Sequence, residues 1–381
     1  MRRLALVIGA TLAGSMLAAS GRAVNLDISV SFYDSLAPYG EWIENDRFGT
    51  VWTPRHIDSS WRPYTRGEWV YTDDGWTWAS DDDWGWATDH YGRWFLDPVA
   101  GWIWVPGDEW APAWVAWRYG DGYVGWAPLP PGADVFGDVD ISIDPLAFCF
   151  VEQRRFLEPG IYRHLVPVAR NVTYISLTTN VTHYRRVNER VFNRGIDVHH
   201  FERATGHTVP RARIREVWSA ADARRARVGR GEVAFFHPSV VSSRPTAAPG
   251  VQGTWHPNPN ASHPERIDRR QEHERQQLES TLVRERRRLE QLQQHEIKHP
   301  PQGVVERREH EPQRPRAVAQ PGWVNRKQLE DRHEAERKAQ AEIERRQREV
   351  LQQRQQREQR SIQAQKEKGK PEDSSHKHDR H

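Results

Sequence analysis

Cysteine is nearly absent from this chain: its 381 residues include one, Cys149. One thiol cannot close a disulfide within the chain, so packing and hydrogen bonding must hold the fold. Its neighbours in "LAFCFV" are apolar, which predicts a buried, unreactive side chain. No base or cationic setting lies beside it to make a nucleophile. Long apolar runs are absent beyond Ala19, so no later segment reads as a membrane span. Signatures of catalysis are missing as well. There is no Gly-x-Ser-x-Gly elbow, no His-Glu-x-x-His pair, no Walker loop and no dinucleotide-binding glycine pattern. His199 and His200 are adjacent, whereas a metal-binding pair on a helix needs a spacing of four. The expectation is a protein that is not an enzyme and holds no cofactor or metal.

What is present begins at the N-terminus. Arg2 and Arg3 precede a run of 16 uncharged, mostly apolar residues, Leu4 to Ala19, and small residues follow. This predicts a secretory signal peptide over 1–23, cleaved after Ala23. The run is short for an anchor helix, which needs roughly 20 residues. No cysteine follows it to mark a lipoprotein. The mature chain is then expected to be exported, to the periplasm or cell surface of a bacterium, and not membrane-spanning.

The formal charge of +3 conceals a segregation. Residues 24–140 carry 20 acids and 6 basic residues, residues 151–230 carry 7 acids and 16 arginines, and residues 261–381 carry 23 acids and 29 basic residues. Neighbouring segments of opposite sign either dock on each other or face different partners. An acidic first module argues against nucleic acid.

Tryptophan is abundant: 15 of the 18 lie between Trp42 and Trp126. They recur in pairs, Trp42 and Trp52, Trp69 and Trp78, Trp94 and Trp104, Trp117 and Trp126, whose first members are 27, 25 and 23 residues apart. The units "YGEWIENDRFGTVWTP", "RGEWVYTDDGWTWAS" and "YGRWFLDPVAGWIWVP" align, and "AWRYGDGYVGWAP" is a shorter fourth. Aromatic runs favour strands, and Asp-Gly and Gly-Asp-Gly supply turns. Each unit reads as a β-hairpin with its tryptophan pair across one face. A single hairpin is not stable alone, so the four must stack or close into one small module, giving a mainly β fold over 24–134. Large aromatics must fill a core that has few aliphatic residues. Yet so many rings strain what a small module can hide, and exposed rings beside acids stack on sugars or cradle cations. The connectors offer the candidates for such a surface: Trp61, Trp84, Trp110 and Trp114. The Asp81-Asp82-Asp83 run reads as a solvated turn, because calcium requires spaced ligands.

The stretch from Phe32 to Pro131, carrying "YGEW", "RGEW", "YGRW" and "VGWAPLPP", resembles a bacterial family of exported, tryptophan-rich proteins classed as a domain of unknown function, whose members often end in a charged, Gln-rich or Pro-rich tail. The resemblance implies no catalytic residue. More loosely, the hairpins look like the choline-binding aromatic repeats of surface proteins, whose units are shorter than the 23–27 residues here.

Residues 135–230 read as a basic α+β segment, either a small module or an appendage on the first. "NVTYISLTTNVTHY" reads as β-rich, "ERVF" and "RARIREV" as strands, and Asp197 and Gly206 bracket a two-turn helix. Arg185, Arg186, Arg211 and Arg213 are candidates for contacting anionic groups, or for pairing with the acidic module. A Pro/Gly/Ser linker is expected over 231–263, a charged helix over 264–299, a Pro-rich linker over 300–322, and a charged helix with a disordered terminus over 323–381. Leu278, Leu282, Leu289 and Leu292 hint at a seam, with Glu285 in one place of it. The tail either pairs as a coiled-coil dimer or stays a single exposed helix or disordered. The chain as a whole reads as a non-catalytic cell-envelope scaffold or protein-interaction module. The alternative is a glycan-binding module whose exposed tryptophans stack on peptidoglycan or exopolysaccharide. Its partner is accordingly an envelope protein or glycan.

Overall fold

The computed structural model describes residues 29–55, 57–58, 60–136, 142–225, 231–240, 264–299 and 326–368. The expected signal peptide, residues 241–263 of the expected first linker, the Pro-rich linker over 300–322 and the terminus beyond 368 lie outside the described residues.

After β1 (Ser29–Val30) and α1 (Phe32–Leu36), each tryptophan unit forms an antiparallel hairpin. They are β2 (Gly40–Asn45) with β3 (Gly49–Pro54), β4 (Gly67–Thr72) with β5 (Gly75–Ser80), β6 (Arg93–Asp97) with β7 (Gly101–Val105), and β8 (Val115–Gly120) with β9 (Tyr123–Pro128); the short helix α2 (Gly85–Thr88) lies between the second and third. In all four hairpins the paired tryptophans stand directly opposite: Trp42 and Trp52, Trp69 and Trp78, Trp94 and Trp104, Trp117 and Trp126. Opposed aromatic side chains are among the cross-strand pairs that stabilise a sheet.

The glycine of the Gly-x-Trp pattern has a steric reason. It shares a face with the first tryptophan, and the ring of the second leans across it. A Cβ at Gly67 would stand 2.8 Å from Trp78 Cζ2, one at Gly92 2.9 Å from Trp104 Cε2, and one at Gly40 would overlap the Trp52 ring. The fourth unit has Val115 at this place.

The hairpins do not stack in sequence order. β3 pairs with β7, with Trp52 against Trp104, so the first and third hairpins form one sheet in the order β2-β3-β7-β6. The second and fourth hairpins seed two other sheets, which later strands complete: β10 (Cys149–Glu152), β11 (Thr179–Asn180), β12 (Tyr184–Val187), β13 (Arg190–Asn193), β14 (Arg211–Val217) and β15 (Glu232–Phe236). The resulting orders are β10-β9-β8-β11 and β12-β13-β5-β4-β14-β15, and β16 (Ser239–Val240) pairs with β1. The basic segment is therefore woven into the sheets of the acidic one.

Two local expectations fail. "NVTYISL" is a helix, α3 (Asn171–Leu177), despite its β-branched residues. Tertiary contacts override propensity: the Asn171 amide donates to the carbonyls of Pro145 and Phe148, and Tyr174 packs on Tyr123 and Phe150. The expected linker begins too early, because "EVAFF" within it is β15, whose Val233, Ala234, Phe235 and Phe236 are all buried. Other elements follow the sequence. α4 (Val198–Thr205) has Asp197 accepting from the His200 N–H and Gly206 left-handed at its end, and α5 (Ala220–Arg225) follows β14.

Two long helices, α6 (Pro264–Lys298) and α7 (Arg326–Lys368), lie antiparallel against each other. Arg286 pairs with Glu344, Arg348 with Glu279 and Arg354 with Glu274. The buried residues of α6 are Ile267, Gln271, Leu278, Leu282, Leu289 and Gln293. Their steps alternate between four and seven, an eleven-residue repeat close to the natural twist of a straight helix. Leu292 and Glu285 are half-buried. Of the leucine seam legible in the sequence, Leu289 packs with Ile343 of α7 and with Ala169.

Candidate functional site

The rings fill the centre of the body. Trp52, Trp76, Trp78, Trp94, Trp104, Trp114, Trp117 and Trp126 are sealed from water, and Trp61 and Trp69 nearly so. Trp69 and Trp117, from different hairpins, lie 4.5 Å apart between centroids. The basic segment contributes Phe156, whose ring stands within reach of Trp69, Trp76, Trp117 and Trp126 at 5.0–6.3 Å. Buried indole N–H groups need acceptors, and many are remote in sequence. Trp76 donates to the Ile196 carbonyl at 2.9 Å and Trp117 to Asn193 Oδ1 at 2.7 Å, so the basic segment also satisfies the polar atoms of the acidic one. Trp126 donates to the Tyr64 carbonyl at 3.0 Å and Trp104 to that of Tyr91 at 2.8 Å.

The four candidate stacking residues separate. Trp114 is buried, with the Arg93 guanidinium 3.4 Å above one ring and Tyr184 stacked at 5.7 Å, so no face is free for a ligand. Trp61 is buried too: its N–H donates to Asp82 Oδ2 at 2.9 Å and its ring meets Trp94 edge-on. Both connectors are drawn inward because their indoles complete the core. Trp84 is half-buried against Trp52, Trp61 and Tyr39. Trp110 is half-buried and borders open space.

The four candidate arginines also separate. Arg185 and Arg186 are consecutive on β12, while Arg211 and Arg213 lie on β14, with three strands between them in the same sheet. Arg186 pairs with Glu109 and lies over the Phe136 ring, and Arg211 covers Tyr71. Arg185 and Arg213 are exposed on the strands. Together with Arg190 on Asp74, the Arg186 pair shows the basic and acidic segments docking on each other.

Two openings border this body. One is a cleft of about 1190 Å³ between the first and third hairpins and the helices α6 and α7. Trp102, Tyr162, Thr53, Gln277, Ser280 and Thr281 are among its walls. The other is a groove of about 900 Å³ where Trp110 meets the hairpin β12–β13 and the strands β14 and β15. There the Trp110 ring lies between His90, stacked at 5.4 Å, and His237 at 4.9 Å. Carboxylates of Asp74, Asp108, Glu109, Glu189 and Glu216 surround it, with the guanidinium groups of Arg186 and Arg190. Sequence reasoning found Trp110 and Arg186 but not the groove. Its residues come from five separate stretches, and no spacing in the chain announces them.

Ionisable groups are buried beneath the sheets. Asp89 accepts from the Trp94 indole at 3.3 Å, and burial pushes its carboxyl up to about 7. Asp82, expected in a solvated turn, is buried as the acceptor of Trp61, with its pKa raised by burial to about 6. His90 donates from Nδ1 to the Ala111 carbonyl at 2.9 Å, and burial lowers it to about 4. Cys149 stands opposite Trp126 on the next strand, buried, with its thiol pushed up by desolvation. None of these groups opens onto either cavity as a nucleophile–base pair. Among the described residues no three histidine, cysteine or carboxylate side chains converge as a metal site, and no helix is long and apolar enough to cross a membrane.

Residues 33–133 match a family described as "Family of unknown function (DUF6600)". The match spans all four hairpins and ends before β10. No curated protein and no solved structure matches the chain at a significant level.

Proposed function

We propose that this protein is a non-catalytic scaffold or protein-interaction module of the bacterial cell envelope, exported by its N-terminal segment. The observation that carries the reading is the fate of the rings: the paired tryptophans of the hairpins interdigitate as a core, closed by Phe156, Asn193 and Ile196 of the basic segment. Rings used this way build a rigid body, leaving its charged exterior, and not the repeat itself, to meet partners. Quenching of tryptophan fluorescence by iodide tests it. Among the tryptophans of the described residues the reading expects a small accessible fraction, dominated by Trp218, which is 63% exposed. A large accessible fraction together with saturable co-sedimentation on cell-wall sacculi would sink it.

One observation favours glycan binding as a second reading, and it moves the site. Tyr162, 46% exposed, and half-buried Trp102 share the cleft beneath α6 and α7 with hydroxyl and amide side chains, the mixture of flat rings and hydrogen-bonding groups that sugars require. Co-sedimentation with sacculi that is abolished by Tyr162→Ala would establish that reading in place of the first.

A further inference from the structure

The groove beside Trp110 belongs to neither the core nor the cleft. Its rim carries five carboxylates against two guanidinium groups. Both guanidinium groups are already engaged: Arg186 sits on Glu109 and Arg190 on Asp74. These pairs show, within the molecule itself, that the groove's carboxylates take guanidinium ions at contact distance. Among the described residues Asp108 and Glu189 have no guanidinium on them, and Glu216 has only His237, at 3.9 Å. The walls between the charges are apolar: Trp110, Phe235, Val191 and Ile214. A volume of about 900 Å³ lies at the upper end of the range of ordinary ligand sites, large enough for several side chains.

We propose that this groove is the docking site for an arginine- or lysine-rich segment of a partner protein, whose cationic heads meet Asp108, Glu189 and Glu216 while their alkyl stems lie along Trp110, Phe235 and Ile214. The inference rests on the interaction-module reading and names the chemistry of the partner. Three features make a basic segment the occupant. The unfilled charges are all negative. They ring an apolar floor that suits the long stems of arginine and lysine. An anionic polymer or lipid headgroup would meet like charge on this rim, which costs free energy. Arg186 and Arg190, held by their own carboxylates, bracket the site and fix the spacing that an incoming segment must match.

Glu189 adds a positional detail. It and Asn188 form the two-residue turn between β12 and β13, with φ of +64° and +48°. Such a turn fits the twist of a hairpin, and it places a glutamate, rather than the more accommodating glycine, at the groove's rim.

The test is a fluorescence-anisotropy titration of the full chain with a labelled eight-residue peptide of alternating arginine and glycine, at low and high salt. A peptide with glutamate in place of arginine is the control. The expected result is saturable binding of the arginine peptide alone, weakening as salt rises. The triple variant Asp108→Asn, Glu189→Gln, Glu216→Gln should bind at least about tenfold more weakly. Neutralising three acids elsewhere, Asp34→Asn, Asp46→Asn and Glu290→Gln, should change binding less than about twofold by the same reasoning. Equal binding by the groove variant and the wild type overturns the groove assignment, as does binding of the acidic peptide or no binding of the arginine peptide. None of these outcomes touches the scaffold reading, which stands or falls on quenching and sacculi binding. Both variants change polar surface residues, and a thermal melt of each confirms that the fold is retained.

Discussion

At the scale of single residues the Gly-x-Trp pattern carries the most information. Gly40 is not left-handed, so replacing it introduces steric overlap with the Trp52 ring and the Thr53 carbonyl oxygen rather than strain in φ. Gly40→Ala is expected to destabilise the protein by roughly 1–3 kcal/mol, the range for overpacking a core. In a double-mutant cycle with Trp52→Leu the part of the cost due to the ring should vanish, while the part due to the Thr53 carbonyl oxygen, which the added methyl also strikes, remains. Additive effects in denaturant melts would refute the contact.

Asp89 and His90, neighbours in the chain, make opposite contributions to pH dependence. Asp89 loses its proton near 3.8 when unfolded and near 7 when folded. Between those values the native state holds the extra proton, so its stability falls as pH rises. His90 titrates near 6.5 when unfolded and near 4 when folded, so there the unfolded state holds the extra proton and stability rises with pH. The two oppose each other over the shared interval. Asp89→Asn removes one side: it should raise stability by roughly 2–4 kcal/mol at pH 8, and by almost nothing at pH 4. Urea titrations at the two pH values decide it, and an equal gain at both would show that the buried carboxyl does not titrate as described.

Among the elements, a buried ionic cluster ties the two long helices to the body, beside the Arg346–Asp144 pair and the bond from Arg288 to the Leu165 carbonyl. Glu336 is fully buried and accepts from Arg170 at 3.2 Å, Thr173 Oγ1 at 2.7 Å and Gln293 Nε2 at 2.9 Å. Arg170 also pairs with Glu296, which meets Arg332 and His333 on α7. Burial disfavours the Arg170 charge, but the carboxylates of Glu336 and Glu296 outweigh it and hold the guanidinium protonated. Removing one partner of such a cluster strands a charge and costs about 3–5 kcal/mol. Arg170→Met is therefore expected to release α6 and α7 from the body, seen as faster tryptic cleavage within 264–299 and 326–368 at unchanged tryptophan fluorescence. Unchanged cleavage would mean that the apolar contacts of Leu289 and Ile343 with Ala169 suffice.

For the whole molecule, the weaving of the basic segment into the tryptophan sheets and the docking of the helices predict one cooperative transition. Tryptophan fluorescence reports the core and far-ultraviolet ellipticity reports chiefly α6 and α7, and the two should unfold at the same denaturant concentration. A separate, earlier loss of ellipticity would show the helices to be an independent unit.

Legible along the chain were the hairpins, their cross-strand tryptophan pairs, the two-turn helix between Asp197 and Gly206, the charged tail helices and the apolar setting of Cys149. Each of these rests on local chemistry: turn glycines, alternation, capping residues, and opposed rings whose spacing is set by strand geometry. How the hairpins associate, the first with the third, and which rings are sealed follow from contacts remote in the chain; the fold as a whole sets them. It buried Trp61 and Trp114 because Asp82, Arg93 and Tyr184 converge on them from elsewhere in the chain, and it made a helix of "NVTYISL" because Asn171 and Tyr174 found distant partners. It also assembled the groove from Asp74, Trp110, Glu189, Glu216 and His237. Burial and charge convergence are properties of long-range contacts, whose free energies exceed local preferences and leave no period in the sequence.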